Sequence, residues 1–342
     1  MKQIIAATMM VFSLSIHAQL VPKDAVPEKV ADGYKFTEGP ALGPDGCIYF
    51  TDIPAELILK FDPTSGETVT FRENTGKANG LLWNLENLYM CCHGSRSVSY
   101  YLLNQRAIDH LDGLPTDKEQ HAAAIERHKQ TPIPIINKFM QKQANGTTKE
   151  IRFNSPNDLT IDSDANIYFT DPRYGNRDNM ETTVEGVYFH GNGVREENGE
   201  KVVYTYIACI DADLVRPNGI VLSPDESILY VADNGANYIY AYDIEEPGKV
   251  KNKRVFGRIN DGRGGGSDGM CVDQQGRLYA TGHKKVWVFE PTGELVATID
   301  VGPQTTNVTF GADGKTLYIT ANKGLYRIKL DTDAPLKHAE KE

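Results

Sequence analysis

Short apolar strands recur along this chain in a fixed two-part unit. A polar residue opens each unit, an apolar stretch follows, and a tight turn closes it. The opening halves read E-G-P-A-L-G-P-D-G from Glu38, N-G-L-L-W-N-L-E-N from Asn79 and N-D-L-T-I-D-S-D-A from Asn157. They continue with N-G-I-V-L-S-P-D-E from Asn218, D-G-M-C-V-D-Q-Q-G from Asp268 and T-N-V-T-F-G-A-D-G from Thr306. After each turn comes a second strand: C-I-Y-F-T, N-L-Y-M-C, N-I-Y-F-T, I-L-Y-V-A, R-L-Y-A-T or T-L-Y-I-T. Repeats of roughly forty residues rich in strands suit a propeller of four-stranded blades around a central channel. The expected fold is therefore all-β, a six-bladed β-propeller forming one domain over residues 19–342.

The steps from 79 to 157 and from 157 to 218 are too long for a bare blade and must hold insertions. The larger, 103–148, is expected to be a helical insertion in blade two. Thr116 and Glu119 make a capping box, a helix runs through Ala122 to Arg127, and a second runs from about Pro134 to Gln143 before Asn145-Gly146. It is read between the third strand, V-S-Y-Y-L, and a fourth strand, K-E-I-R-F. Strands alternate direction within a blade. Loops joining strands three and four thus lie on the face opposite the polar residues that open each first strand. The smaller insertion, Asp171 to about Gly186, joins strands two and three of blade three. That places D-P-R-Y-G-N-R-D-N-M on the polar face as a candidate substrate wall.

Composition narrows the function. A net charge of −10 argues against a nucleic-acid partner, which calls for a basic face. Residues 1–18 carry Lys2, an apolar run from Ile4 to Ile16 and a small residue, Ala18, before Gln19, the layout of a secretory signal peptide. Export to the periplasm or medium is expected, with no membrane partner after cleavage; an uncleaved anchor is the alternative. The five cysteines, Cys47, Cys91, Cys92, Cys209 and Cys271, are odd in number and fit no zinc spacing.

The opening residues of the units should form a polar ring near the axis. Glu38 and Asp268 are its acids, and Asn79, Asn157, Asn218 and Thr306 are amides or a hydroxyl. Carboxylate and amide oxygens converging on one point suit a hard divalent cation, which takes about six to eight oxygen ligands if it is Ca²⁺. N-G, N-D and D-G are also ordinary turn formers, but turn chemistry does not call for Glu38.

The segments F-T-E-G-P-A-L, N-S-P-N-D-L-T-I-D, R-P-N-G-I-V-L-S-P-D and S-D-G-M-C-V-D resemble the gluconolactonase, senescence-marker-protein (regucalcin) and luciferin-regenerating-enzyme family. They also resemble the calcium-dependent organophosphate hydrolase of squid. The resemblance covers about residues 36–330, apart from the insertion near 103–148. It implies a divalent ion on the axis, Ca²⁺ first, with Mg²⁺, Mn²⁺ or Zn²⁺ as alternatives. The implied ligands are Glu38, Asn218 and Asp268, with Asn157 matching an amide that either binds the metal or contacts the substrate, and Asp268 is also the implied base or nucleophile. Two departures stand out. Ser155 occupies the place of a sugar-binding Arg in the vertebrate members, and His283 stands where a glycine is expected. T-D-P-R-Y-G and C-H-G-S-R-S-V bring the chain nearer to bacterial gluconolactonase-like proteins.

His93, Arg173, Tyr174 and His283 fall on loops of the ring face and are the candidate substrate-binding residues. The expected activity is opening of a sugar-derived lactone, the ion polarising the carbonyl while Asp268 assists water attack. Hydrolysis of another activated ester or phosphotriester is one alternative. A non-catalytic, metal-stabilised propeller that binds a glycan or protein is the other.

Overall fold

A computed structural model describes residues 20–331 except 111–113, 116, 143–144, 198 and 263–265. Segment 1–18, expected to be a signal peptide, and Thr116 lie outside the described residues. The chain forms six four-stranded antiparallel sheets, and each runs outward in order from an innermost strand. The six innermost strands are Thr37–Leu42, Ala78–Asn84, Leu159–Ile161, Pro217–Leu222, Met270–Val272 and Thr305–Phe310. Each packs against the innermost strands of the two adjacent blades, which closes the ring. The expected six-bladed propeller is the fold.

The alternation of side chains along each strand explains why the blades stack. The tyrosine of each second strand (Tyr49, Tyr89, Tyr168, Tyr230, Tyr279 and Tyr318) packs by its ring against another aromatic. Six apolar clusters result, one in each interface between neighbouring blades. The core is therefore a ring of wedges around a polar axis.

Polar residues tie one blade to the next. The threonine after the apolar second strand reaches the next blade's opening residue. Thr51 Oγ1 donates to Asn79 O at 3.2 Å, Thr170 Oγ1 to Asn218 O at 2.7 Å and Thr281 Oγ1 to Thr306 O at 2.8 Å. The aspartate beside that threonine holds the incoming loop. Asp171 accepts from Asn154 N and Ser155 N, both at 2.7 Å, and Asp52 accepts from Lys35 N and Phe36 N. A Cβ on Gly39 would meet Asn79 O at 2.0 Å, so only glycine lets the two inner strands approach this closely.

Two features differ from the sequence expectation. Glu28–Asp32 pairs with Gly324–Lys329 as the outermost strand of blade six, so the two ends of the chain close the ring together. Blade two ends earlier than expected. Its fourth strand is Ile133–Ile136, not K-E-I-R-F, and the insertion between strands three and four holds helices Gln105–Asp109 and Lys118–Gln130. Asp117 caps the longer helix by accepting from Gln120 N at 3.0 Å. Of the stretch expected to form a second helix, Gln143 lies outside the described residues and the rest holds strands instead: Lys138–Lys142 pairs with Thr148–Arg152 in a hairpin. Two signals were misread. I-P-I-I is β-branched, and its Pro134 is tolerated because it lies on an edge strand. Asn145-Gly146 is a hairpin turn signal as much as a helix stop, and Gly146 has φ +84°. The hairpin joins blade two to blade three, so it belongs to the ring face. Gln141 Nε2 donates to Thr182 Oγ1 and Arg152 pairs with Glu181, which fasten it to the 172–185 loop. No helix among the described residues is long and apolar enough to cross a membrane.

Candidate metal and catalytic site

Glu38, Asn79, Asn157, Asn218 and Asp268 are buried at the head of five innermost strands. Glu38 Oε2 accepts from Gly39 N at 3.1 Å. Burial, reinforced by the charge of Asp268, pushes the Glu38 carboxyl well above its usual range. Burial and then the Asp158 carboxylate do the same to Asp268. Burial raises Asp158 to about 7. Three carboxyls thus share one desolvated channel and repel one another there.

Asp268 Oδ1 is buried and has no hydrogen-bond partner. An unsatisfied buried acceptor next to like charges is costly. A divalent cation would relieve both penalties, and the oxygen-only donor set suits a hard ion. Among the described residues no group of three or more His, Cys, Asp or Glu side chains is disposed to hold a metal. Any axial ion must therefore draw on the amide oxygens as well as on Glu38 and Asp268. Asn218 is preset for this: its Nδ2 donates to the Tyr174 hydroxyl at 2.8 Å.

Thr306 does not join the ring. Its hydroxyl lies 2.9 Å from Thr37 O and 2.9 Å from Thr320 Oγ1, a structural tie between blades six and one. The next residue, Asn307, faces the channel instead, and its Nδ2 donates to Asp158 Oδ2 at 3.1 Å. The signal for this pair was visible in the repeat. The residue after the ring position is glycine in four copies (Gly39, Gly80, Gly219 and Gly269), and only Asp158 and Asn307 carry side chains there. Below the pair, all six blades line the far half of the channel, a cavity of about 400 Å³ bounded by residues such as Leu81, Leu159, Ile220 and Val308.

The four substrate candidates divide by role. Tyr174 reaches the ring through Asn218, and Arg216 lies 5.7 Å from the centre of its ring. His93 follows strand Asn87–Cys92, and its Nε2 lies 3.0 Å from Asn79 Nδ2. Burial, then Arg173 and Lys77, lower His93 to about 4, so it is neutral at ordinary pH. Arg173 holds loop backbone: its Nη1 donates to Asn154 O at 2.8 Å, and its Nη2 donates to Asn179 Oδ1. His283 is buried with φ +52°, its Nδ1 lies 2.6 Å from Asp261 Oδ1, and its ring packs on Gly266. That left-handed backbone explains why a glycine was expected there. Ser155, in place of the vertebrate Arg, is consumed locally by donating to Pro172 O at 2.7 Å.

A concavity of about 900 Å³ lies at the outer rim between residues 20–27 and the strand Leu295–Asp300, away from the axis.

Residues 36–323 match the model of the SMP-30/gluconolactonase/LRE-like region. A gluconolactonase of Zymomonas mobilis is 27% identical over 319 residues, covering 89% of this chain and 81% of its own length. The diisopropyl-fluorophosphatase of Loligo vulgaris is 26% identical over 200 residues, covering 53% of this chain and 61% of its own. The solved structure of a gluconolactonase from Xanthomonas campestris superposes with a TM-score of 0.70 at 25% identity, covering 93% of each chain. With its propeller, its polar axial ring and these relatives, the chain belongs to the SMP-30/gluconolactonase/LRE-like family of lactonases and related hydrolases.

Proposed function

We propose that this protein is an exported, metal-dependent lactonase that opens a sugar-derived lactone. In this reading Glu38, Asn157, Asn218 and Asp268 hold a divalent ion, Ca²⁺ first and Mg²⁺, Mn²⁺ or Zn²⁺ otherwise. The observation that carries it is the buried Glu38–Asp268 pair on the axis, with Asp268 Oδ1 unpartnered. The gluconolactonase relative, similar over most of both chains, supports the lactone as substrate. Export rests on Lys2, the apolar run Ile4–Ile16 and Ala18.

A bound ion supplies Lewis acidity toward the lactone carbonyl oxygen. The side chains do the rest. The Asp268 carboxylate takes a proton from a water as that water's oxygen bonds to the carbonyl carbon. The bond from this carbon to the ring oxygen then breaks. The proton held by Asp268 passes to the departing oxygen, which leaves a hydroxy acid and restores the carboxylate. The Tyr174 hydroxyl accepts from Asn218 and keeps its own hydrogen to donate to a substrate hydroxyl. In this reading His93 and His283 contact the substrate, while Arg173 stiffens the 172–185 wall.

A second reading, hydrolysis of an activated phosphoester, is supported by the likeness to the squid fluorophosphatase. One panel separates the readings: aldonolactones, simple esters and a phosphotriester, assayed on chelator-stripped protein with each of the four ions. Lactone turnover restored by an ion supports the lactonase. Undiminished turnover in metal-free protein contradicts the ion's role. No turnover of any substrate with any ion favours a binding propeller.

A further inference from the structure

The ring contains one amide that the family resemblance does not name as a ligand. Asn79 opens the inner strand of blade two, between Glu38 of blade one and Asn157 of blade three, and is 2% exposed. Its backbone oxygen is held by blade one. Thr51 Oγ1 donates to Asn79 O at 3.2 Å, and the strand of Gly39 passes so close that a Cβ there would lie 2.0 Å from the same oxygen. Its side-chain Nδ2 lies 3.0 Å from His93 Nε2. His93 is itself pinned, its backbone N donating to Lys77 O at 3.0 Å.

An amide carries its oxygen and its NH₂ on opposite edges of one plane. When the NH₂ is turned to His93, on the loop after the second strand, the oxygen faces away from that loop. Asn218 repeats the device. Its NH₂ donates to Tyr174, also on a loop after a second strand, and its side chain bonds the Asp268 carboxyl as well. Two ring amides are thus clamped through their nitrogens by loop side chains of the same face. The acceptors differ in kind, imidazole and phenol, but do the same work.

We infer that Asn79 is a fifth side-chain oxygen ligand of the axial cation and that His93 is the positioning residue that turns this oxygen toward the axis. The inference rests on the metal reading of the ring. It fits the ion's needs, since four side-chain oxygens leave at least two positions of a Ca²⁺ shell to fill. It also gives blade two, which otherwise contributes nothing to the ion, a defined part in the site.

The test is an equilibrium titration of chelator-stripped, full-length protein with Ca²⁺ alone. If Ca²⁺ does not bind, Mg²⁺, Mn²⁺ or Zn²⁺ replaces it, whichever the wild type takes up. Outer partners of metal ligands commonly control affinity by roughly ten- to hundredfold, so Asn79→Ala and His93→Phe should each weaken binding by about that factor. His93→Gln should stay near wild type, because its carbonyl oxygen accepts the same N–H. Thermal midpoints of the metal-free variants report whether each is folded. If Asn79→Ala is not, Asn79→Asp substitutes for it and should bind at least as tightly as wild type, since a carboxylate oxygen replaces an amide oxygen. Wild-type affinity in Asn79→Ala and His93→Phe, or weakened affinity in Asn79→Asp, overturns the inference and leaves the four-ligand reading standing. A wild type that binds none of the four ions overturns both.

Discussion

Asn307 of blade six donates to Asp158 of blade three at 3.1 Å, spanning the propeller between opposite blades. The pair forms a polar floor. Above it lie the acids and amides of the ring, and below it the channel wall turns apolar. Asn307 also secures its own strand, Val308 N donating to Asn307 Oδ1 at 2.8 Å. Replacing Asn307 with Leu strands the buried Asp158 oxygen. The expected cost is about 1–3 kcal/mol of stability, measured by denaturant unfolding of metal-free protein.

Thr306 gives the contrasting case. Its hydroxyl joins blades six and one and does not face the ring. Thr306→Val should therefore lower stability by about 1 kcal/mol and leave ion affinity unchanged. A drop in affinity without a drop in stability would return Thr306 to the ring.

Tyr174 orients Asn218 through one hydrogen bond. Tyr174→Phe keeps the ring under Arg216 but removes one of the two hydrogen bonds that hold the Asn218 amide, the other being to Asp268. Ion affinity should weaken by roughly tenfold, the lower end for an outer partner of a ligand. Unchanged affinity with a raised KM would mean that the hydroxyl serves only the substrate.

The helices Gln105–Asp109 and Lys118–Gln130 join strands three and four of blade two, on the face away from the ring. Replacing residues 104–131 with a short turn while keeping Ile133–Ile136 should leave turnover of a small lactone within about twofold, since loops on a remote face do not touch the chemistry. Extending the deletion through 136 strips the outer strand from blade two and should lower the thermal midpoint. A large loss of activity from the shorter deletion alone would contradict this placement.

Much of this molecule was legible from its repeat. The period fixed the blade count, and strand alternation set which face carries the 171–186 loop. Glu38 stood out because turn chemistry does not call for it, and Asp268 as the other acid of the ring. Tertiary context decided the rest. Glu28–Asp32 pairs with a strand almost the whole chain away, so no local pattern marks it as part of blade six. K-F-M-Q-K has helix-compatible composition and becomes a strand by pairing with T-K-E-I-R, a stretch expected as a strand but in blade two's sheet. Asp158 and Asn307 broke a run of glycines at one repeat position, a signal present in the sequence but not used. Thr306 fell at the right repeat position, yet its hydroxyl is drawn aside by Thr37 and Thr320.

The central claim is that Asp268 both holds the ion and moves the proton, whereas Glu38 only holds the ion. The most direct test is aldonolactone turnover by Asp268→Asn and Glu38→Gln, each at saturating metal. Each substitution removes one charge from the same axis, and each keeps a carbonyl oxygen. Loss of a general base costs roughly 10²–10⁴-fold in rate. The account predicts that Glu38→Gln regains most of its rate as metal rises, while Asp268→Asn stays lower by about that factor at saturation. Equal recovery of both variants would contradict it, reducing Asp268 to a ligand and leaving the proton to another group.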